Sequence, residues 1–212
     1  MNTSQMEYHT FSVVITTYKR VGLLAKAIES VFQQHYPKDK YEVVVIYTPS
    51  GDGTEELLER YQGNSPVPVS AYKETRRAVA CARNLGAEKS RLEFVAQLDD
   101  DAIACPDWLA TFNQVINEHH AMVVGGRIEI YFDQGCTPPD WFNTPYMHGF
   151  FGLNYGEHGR KKRVVRSRYP MTLYAHNTAY ARRLFDHFGG YQTDLGPDEN
   201  SRHDHRSQGM ER

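Results

Sequence analysis

Apolar positions along the first hundred residues alternate between two rhythms. Residues 11–16 (FSVVIT) form a β-branched, apolar run of the kind that makes a buried strand. After the polar TYKR, Leu23, Leu24, Ala27, Ile28, Val31 and Phe32 recur at helical spacing, and His35-Tyr36-Pro37 ends the pattern. The unit then repeats. YEVVVIY at 41–47 predicts a second buried strand, PSGDGT supplies turn chemistry, and 54–61 predicts a helix. A short strand over 67–72, a helix over 78–89 and a fourth strand over 92–98 follow, the last running straight into Asp99-Asp100-Asp101. Strands alternating with helices predict an α/β domain with a parallel sheet, right-handed crossovers and helices on both faces.

Beyond Asp101 the regularity loosens. Residues 106–119 read as a helix, 122–132 (MVVGGRIEIYF) as strand-like, and 134–169, rich in Gly, Pro and aromatics, as a long functional loop. A short segment, MTLYAHNTAYAR, leads into a helix over 182–188 that Gly189-Gly190 stops. From Gln192 the chain is polar. Residues 11–191 show no internal repeat and no linker composition, so one domain is expected there, after a flexible 1–10.

Composition narrows the classes. A chain of 212 residues with 40% hydrophobic and 12% aromatic content can build one sizeable core, which argues against disorder and against two ordinary domains. The net charge of −2 gives no global field toward nucleic acid or an anionic membrane, and no nucleic-acid partner is expected. The longest apolar runs fall far short of the roughly 20 residues a membrane span needs. Residues 1–10 lack the basic-then-apolar order of a secretion signal, so a cytoplasmic location is expected. Cys81, Cys105 and Cys136, odd in number and far apart, form neither a disulfide framework nor a zinc motif and read as packing thiols.

In an open parallel sheet, ligands collect at the carboxyl ends of strands, and residues 16–20, 49–54 and 99–101 occupy three such ends. Consecutive carboxylates repel one another by about 1 kcal/mol or more per close pair unless a cation relieves them. With extended alternation Asp99 and Asp101 share a face while Asp100 points elsewhere, a two-carboxylate oxygen site suited to Mg²⁺ or Mn²⁺. The competing reading of DDD is an acidic cluster ahead of the helix at 106–119, favoured by the helix dipole.

Five motifs in order give the chain a resemblance to family 2 glycosyltransferases of the GT-A fold, over residues 11–196. They are VVITTYKR at 13–20, YTPSGDGT at 47–54, ARNLG at 82–86, LDDDA at 98–102 with PDWL after it, and NTAYARR at 177–183 with FGGY at 188–191. The resemblance implies a three-layer α/β/α domain with a mostly parallel sheet, a nucleotide-binding half over about 11–101 and an acceptor half over about 102–191. Residues 192–212 would be a polar tail or the start of a longer C-terminal region. It also implies inverting transfer of a sugar from a nucleotide-diphosphate donor, assisted by Mg²⁺ or Mn²⁺, onto a saccharide, lipid-linked or small-molecule acceptor. By the same resemblance Thr17 and Tyr18 line the nucleoside pocket, Arg83 approaches the base or diphosphate, Asp99 lies near the ribose or metal, and Asp101 ligates the metal. Asp100 belongs to the same donor-binding set. Asp52 is expected to shape the turn before Thr54. Many members carry an Asp at the end of the second strand to read uracil; here Tyr47 and Thr48 stand there. The general base is either Glu199, in PDEN, or Glu211, in QGMER.

Other features carry rival readings. Arg160 to Arg168 (RKKRVVRSR) holds six cations in nine residues, enough for a diphosphate or peripheral contact with an anionic membrane, although a solvated loop is the commoner case. His203-Asp204-His205 lacks the apolar frame of a metal site. Trp141 and Phe142, in PPDWF, are the aromatics singled out for stacking on a sugar ring. The alternatives to a transferase are a non-catalytic or truncated nucleotide-sugar binding module and a nucleotidyl or phosphoryl transferase, the latter disfavoured because GxxxxGK[ST] is absent.

Overall fold

A computed structural model describes residues 7–130, 132, 135–143 and 177–193 of the chain. Its described elements are β1 (Phe11–Thr17), α1 (Val21–Phe32), β2 (Tyr41–Tyr47), α2 (Thr54–Gly63), β3 (Val69–Lys73), α3 (Val79–Lys89), β4 (Phe94–Asp99), α4 (Trp108–His119), β5 (Val123–Gly125), β6 (Asn177–Ala181) and α5 (Arg182–Phe188). The six strands form one sheet in the order β3-β2-β1-β4-β6-β5. β3, β2, β1 and β4 run parallel, whereas β6 is antiparallel to both β4 and β5. The chain moves outward from β1 through β2 to β3, then returns to the other side of β1 for β4. That reversal makes a topological switch point at the carboxyl ends of β1 and β4, where ligands of open α/β sheets collect and where register sets Thr16 against Asp99.

The period-two pattern decides which helix covers which face. Phe11, Val13 and Ile15 of β1, with Val43 and Val45 of β2 and Ala96 and Leu98 of β4, meet Leu24, Ile28 and Val31 of α1, Leu57 and Leu58 of α2 and Leu109 and Phe112 of α4. The alternate residues Val14, Val44, Ile46 and Val95 face the other way and pack against Ala82 and Leu85 of α3. Gly86 is what lets α3 lie close: a Cβ there would stand 2.4 Å from Cγ1 of Val14. The molecule therefore has three layers, α/β/α.

The expected elements are found with end shifts of a residue or two up to Val123, and two differences follow. The strand expected over 122–132 stops at Gly125. Gly126 donates its N–H to the carbonyl of Asn177, and Asn177 accepts from Trp108 Nε1 at 2.8 Å and donates to Arg127 O at 2.8 Å. One side chain thus ties α4, the end of β5 and the start of β6. The second difference is β6 itself, which enters the otherwise parallel sheet antiparallel to β4.

Cys81 is buried, but Cys105 and Cys136 are exposed, so only the first is a packing thiol; all three are free. No helix among the described residues is long and apolar enough to cross a membrane.

Candidate functional site

The three polar strand ends come together as expected. Thr17 closes β1, and its carbonyl accepts the N–H of Thr48 at 3.2 Å, while Tyr47 O accepts from Glu74 N at 2.9 Å, so the loops after β1, β2 and β3 are laced side by side. Tyr18 lies at the surface on the next turn, with Lys19 Nζ 5.3 Å and Arg77 Cζ 5.4 Å from its ring centroid. Such cation–π contacts hold a ring face in a positive environment. Lys19 adopts a left-handed φ of 58°, the sharp bend that turns β1 into α1.

β4 ends at Asp99, and the chain turns at once, with Ala102 N donating to Asp99 O at 3.2 Å. The alternation that would put Asp99 and Asp101 on one face therefore holds only as far as Asp99. Asp99 lies on the α3 side of the sheet, where Arg83 Nη2 reaches its carboxylate at 3.3 Å. Asp100 passes to the opposite side and is 6% exposed. Its oxygens accept from Thr17 Oγ1 at 2.7 Å and Arg20 Nη1 at 3.2 Å. The same Arg20 nitrogen donates to Asp101 at 2.7 Å. Burial pushes the Asp100 carboxyl above its ordinary value, opposed by the Thr17 hydrogen bond and the Arg20 charge. Asp100 in turn holds the Arg20 guanidinium above its usual value. A buried charge of this kind is tolerated only while its partners remain.

Asp99 and Asp101 are much more open, with side chains 38% and 49% exposed. Their hard oxygen donors fit a divalent cation of the Mg²⁺ or Mn²⁺ type. Among the described residues no group of three or more His, Cys, Asp or Glu is arranged to hold a metal ion unaided. Two carboxylates completed by substrate oxygens and water are the usual way to bind such an ion.

The remaining parts brace this centre. Asp52 accepts from Ser50 Oγ at 2.7 Å, Thr54 Oγ1 at 2.7 Å and Thr54 N at 3.3 Å, and from Val21 N at 3.1 Å across the loop. It shapes its own turn, as expected, and also reaches the start of α1. Glu74, buried, accepts from the backbone and guanidinium of Arg76, whose hydrogen bond holds the carboxyl below its ordinary value. This fixes the loop that carries Arg77. Arg20, Glu74, Arg76 and Arg77 were not singled out from sequence. Arg20 could have been found within TYKR, since a buried acid at a strand end asks for a cation; the Glu74–Arg76 clamp leaves no such signal.

Of the two aromatics singled out, Trp141 is exposed, while Phe142 is buried against Phe132 and Trp141 and is a packing ring rather than an open platform. Trp108 is also core. Glu199, Glu211, the cationic run from Arg160 to Arg168 and His203-Asp204-His205 lie outside the described residues.

Comparison with known proteins agrees with this fold. The chain is 31% identical over 193 residues to the glucosyl-dolichyl phosphate glucuronosyltransferase of Haloferax volcanii, covering 87% of this chain and 56% of that one. Among solved structures, a mannosyltransferase from Pyrobaculum calidifontis in complex with GDP-Man and Mn²⁺ superposes with a TM-score of 0.64 at 23% identity, over 91% of this chain and 50% of that one. Staphylococcus aureus TarS residues 1–349 in complex with UDP-GlcNAc gives a TM-score of 0.62 at 22% identity, over 84% of this chain and 47% of that one. The fold is thus the GT-A fold of these transferases, and the chain spans about half the length of the relatives it matches. The family profile described as Glycosyl transferase family 2 matches residues 12–188, most of the domain that the strand-end cluster organises, and the chain belongs to that family.

Proposed function

We propose that this chain forms the donor-binding and catalytic domain of an inverting glycosyltransferase. In this reading it moves a sugar from a nucleotide-diphosphate donor to the hydroxyl of a saccharide, lipid-linked or small-molecule acceptor. The reading is supported above all by the side chains gathered at the switch point where β1 and β4 end. There one carboxylate of the DDD run, Asp100, is buried on Thr17 and Arg20, while its neighbours Asp99 and Asp101 stay partly open.

Asp99 and Asp101 would hold Mg²⁺ or Mn²⁺. When bound, the ion would neutralise charge on the departing nucleoside diphosphate. Thr17 and Tyr18 line the nucleoside side, with Lys19 and Arg77 keeping the Tyr18 ring in a cationic setting. Arg83 approaches the base or diphosphate. Arg20 keeps the DDD turn anchored to β1, so that Asp101 is held at a fixed reach from the strand end. A carboxylate must take the proton from the acceptor hydroxyl, and Glu199 and Glu211 are the two candidates for that base. Peripheral membrane contact through Arg160 to Arg168 would suit a lipid-linked acceptor, and is part of the same proposal.

UDP or GDP should raise the melting temperature of the chain only when MnCl₂ or MgCl₂ is present, and Asp101→Ala should abolish that shift. Absence of any metal-dependent shift with either nucleotide would overturn the donor site. Incubation with a panel of nucleotide sugars then separates enzyme from binding module: release of free or transferred sugar supports the enzyme, and binding without turnover supports the module.

A further inference from the structure

The FGGY segment ends in a residue with more ties to the donor side than a terminating aromatic needs. We infer that Tyr191 is a positioning residue for the strand-end site: its ring is a fixed plate that sets the Arg83 guanidinium beside Asp99. This rests on the reading of Arg83 and Asp99 as donor-side residues.

Three contacts fix the plate. Tyr191 N donates to Asn84 Oδ1 at 2.7 Å, and Asn84 Nδ2 donates to Tyr191 O at 2.8 Å, so one amide of α3 clamps both backbone polar groups. The phenol donates to Gln97 Oε1 at 3.0 Å. Gln97 is 3% exposed, two positions before Asp99 on the same face of β4. Burial pushes the Tyr191 phenol above its ordinary value, so it stays a donor throughout the neutral range.

The two glycines make the approach feasible. Gly189 has a φ of 78°, and a Cβ on Gly190 would stand 2.3 Å from Asn84 Oδ1. The outcome is a ring centroid 6.0 Å from Arg83 Cζ, with Arg83 Nη2 3.3 Å from Asp99. A long arginine loses considerable rotamer freedom when it is placed, and a rigid aromatic face beneath it reduces what the ligand must still order. Arg83 touches both the Tyr191 ring and the Asp99 carboxylate, so Tyr191 acts on Asp99 through Arg83. The arrangement also explains why ARN and GGY belong together: Arg83 is the working group, Asn84 holds the plate, and the glycines admit it.

The test is a nucleotide titration by calorimetry with UDP and with GDP in MnCl₂, on the wild-type chain, Tyr191→Leu, Tyr191→Phe, Arg83→Ala and the Arg83→Ala/Tyr191→Leu double variant. Tyr191→Leu should weaken Kd about three- to fivefold. Tyr191→Phe keeps the ring and should stay within about twofold. In the Arg83→Ala background Tyr191→Leu should add nothing, because the residue it serves is gone. Should the leucine variant fail to fold, Tyr191→Met, longer and more adaptable than leucine and also without a ring face, takes its place. Wild-type affinity in the leucine or methionine variant, or losses that multiply in the double variant, would overturn the inference while leaving the donor site intact. No nucleotide binding by the wild-type chain would overturn the donor-site reading, and this inference with it.

Discussion

Single residues in this site act by allowing or forbidding close approach as much as by their charges. Gly86 illustrates the first. It sits inside α3 where alanine would be the better helix former by about 1 kcal/mol, yet a Cβ there collides with Val14 at the centre of the sheet. Overpacking of this kind costs roughly 1–3 kcal/mol, so Gly86→Ala should lower the urea midpoint despite the gain in propensity. An unchanged midpoint would mean that α3 lifts off the sheet without cost. Asp100 illustrates the second. It is the carboxylate of the three that water reaches least, and its partners are a hydroxyl and a guanidinium brought from β1 and the turn after it. The DDD run thus resolves its own repulsion by unequal burial and by arginine pairing, Asp100 buried on Thr17 and Arg20, Asp101 on the same Arg20 and Asp99 beside Arg83.

At the scale of elements, α1 is held from outside itself. Arg20 offers no side-chain cap, and the first turn has no acidic residue, so its N-terminal N–H groups lack the usual local partner. Asp52, from the loop after β2, supplies one by accepting from Val21 N. Burial pushes the Asp52 carboxyl up, but hydrogen bonds from Ser50, Thr54 and Val21 outweigh it and bring it from 3.8 down to about 2. A folded-state value below the unfolded one means stability that is fully present above about pH 4 and is lost as pH falls toward 2. Asp52→Asn should therefore be less stable than wild type by about 1 kcal/mol at pH 6. The gap should close in urea titrations near pH 2. A gap of constant size across that range would show that the negative charge contributes nothing.

At the scale of the molecule, a net charge of −2 includes charges of both signs gathered at the strand ends. Lys19, Arg20, Arg76, Arg77 and Arg83 all belong to loops or helices that start at the carboxyl ends of β1 and β3. Arg20 is paired with Asp100 and Asp101, Arg76 with Glu74 and Arg83 with Asp99, which leaves Lys19 and Arg77, beside the Tyr18 ring, to attract a diphosphate over distances comparable to the Debye length, about 10 Å at 0.1 M salt. Raising NaCl from about 50 to about 500 mM should accordingly weaken the Kd for UDP with MnCl₂ several-fold while shifting the melting temperature of the nucleotide-free chain little. Salt-independent binding would mean that apolar and stacking contacts dominate.

The order of strands and helices through β4, and the three strand ends where chemistry gathers, could be read from the chain alone. Hydrophobic period and turn residues are local, and buried parallel strands advertise themselves as continuous apolar runs such as YEVVVIY. The sheet order, the antiparallel entry of β6 and the division of labour among Asp99, Asp100 and Asp101 came only with the fold. Asn177 joining three elements, Asp52 capping a helix 31 positions away, and Asn84 clamping Tyr191 from 107 positions away are bonds between residues that no window of sequence contains. Sequence decides which side chains are present and which segments must bury themselves. Only the packed sheet, by fixing register and the point at which a strand stops, decides which of three identical carboxylates goes inside and which two stay partly exposed.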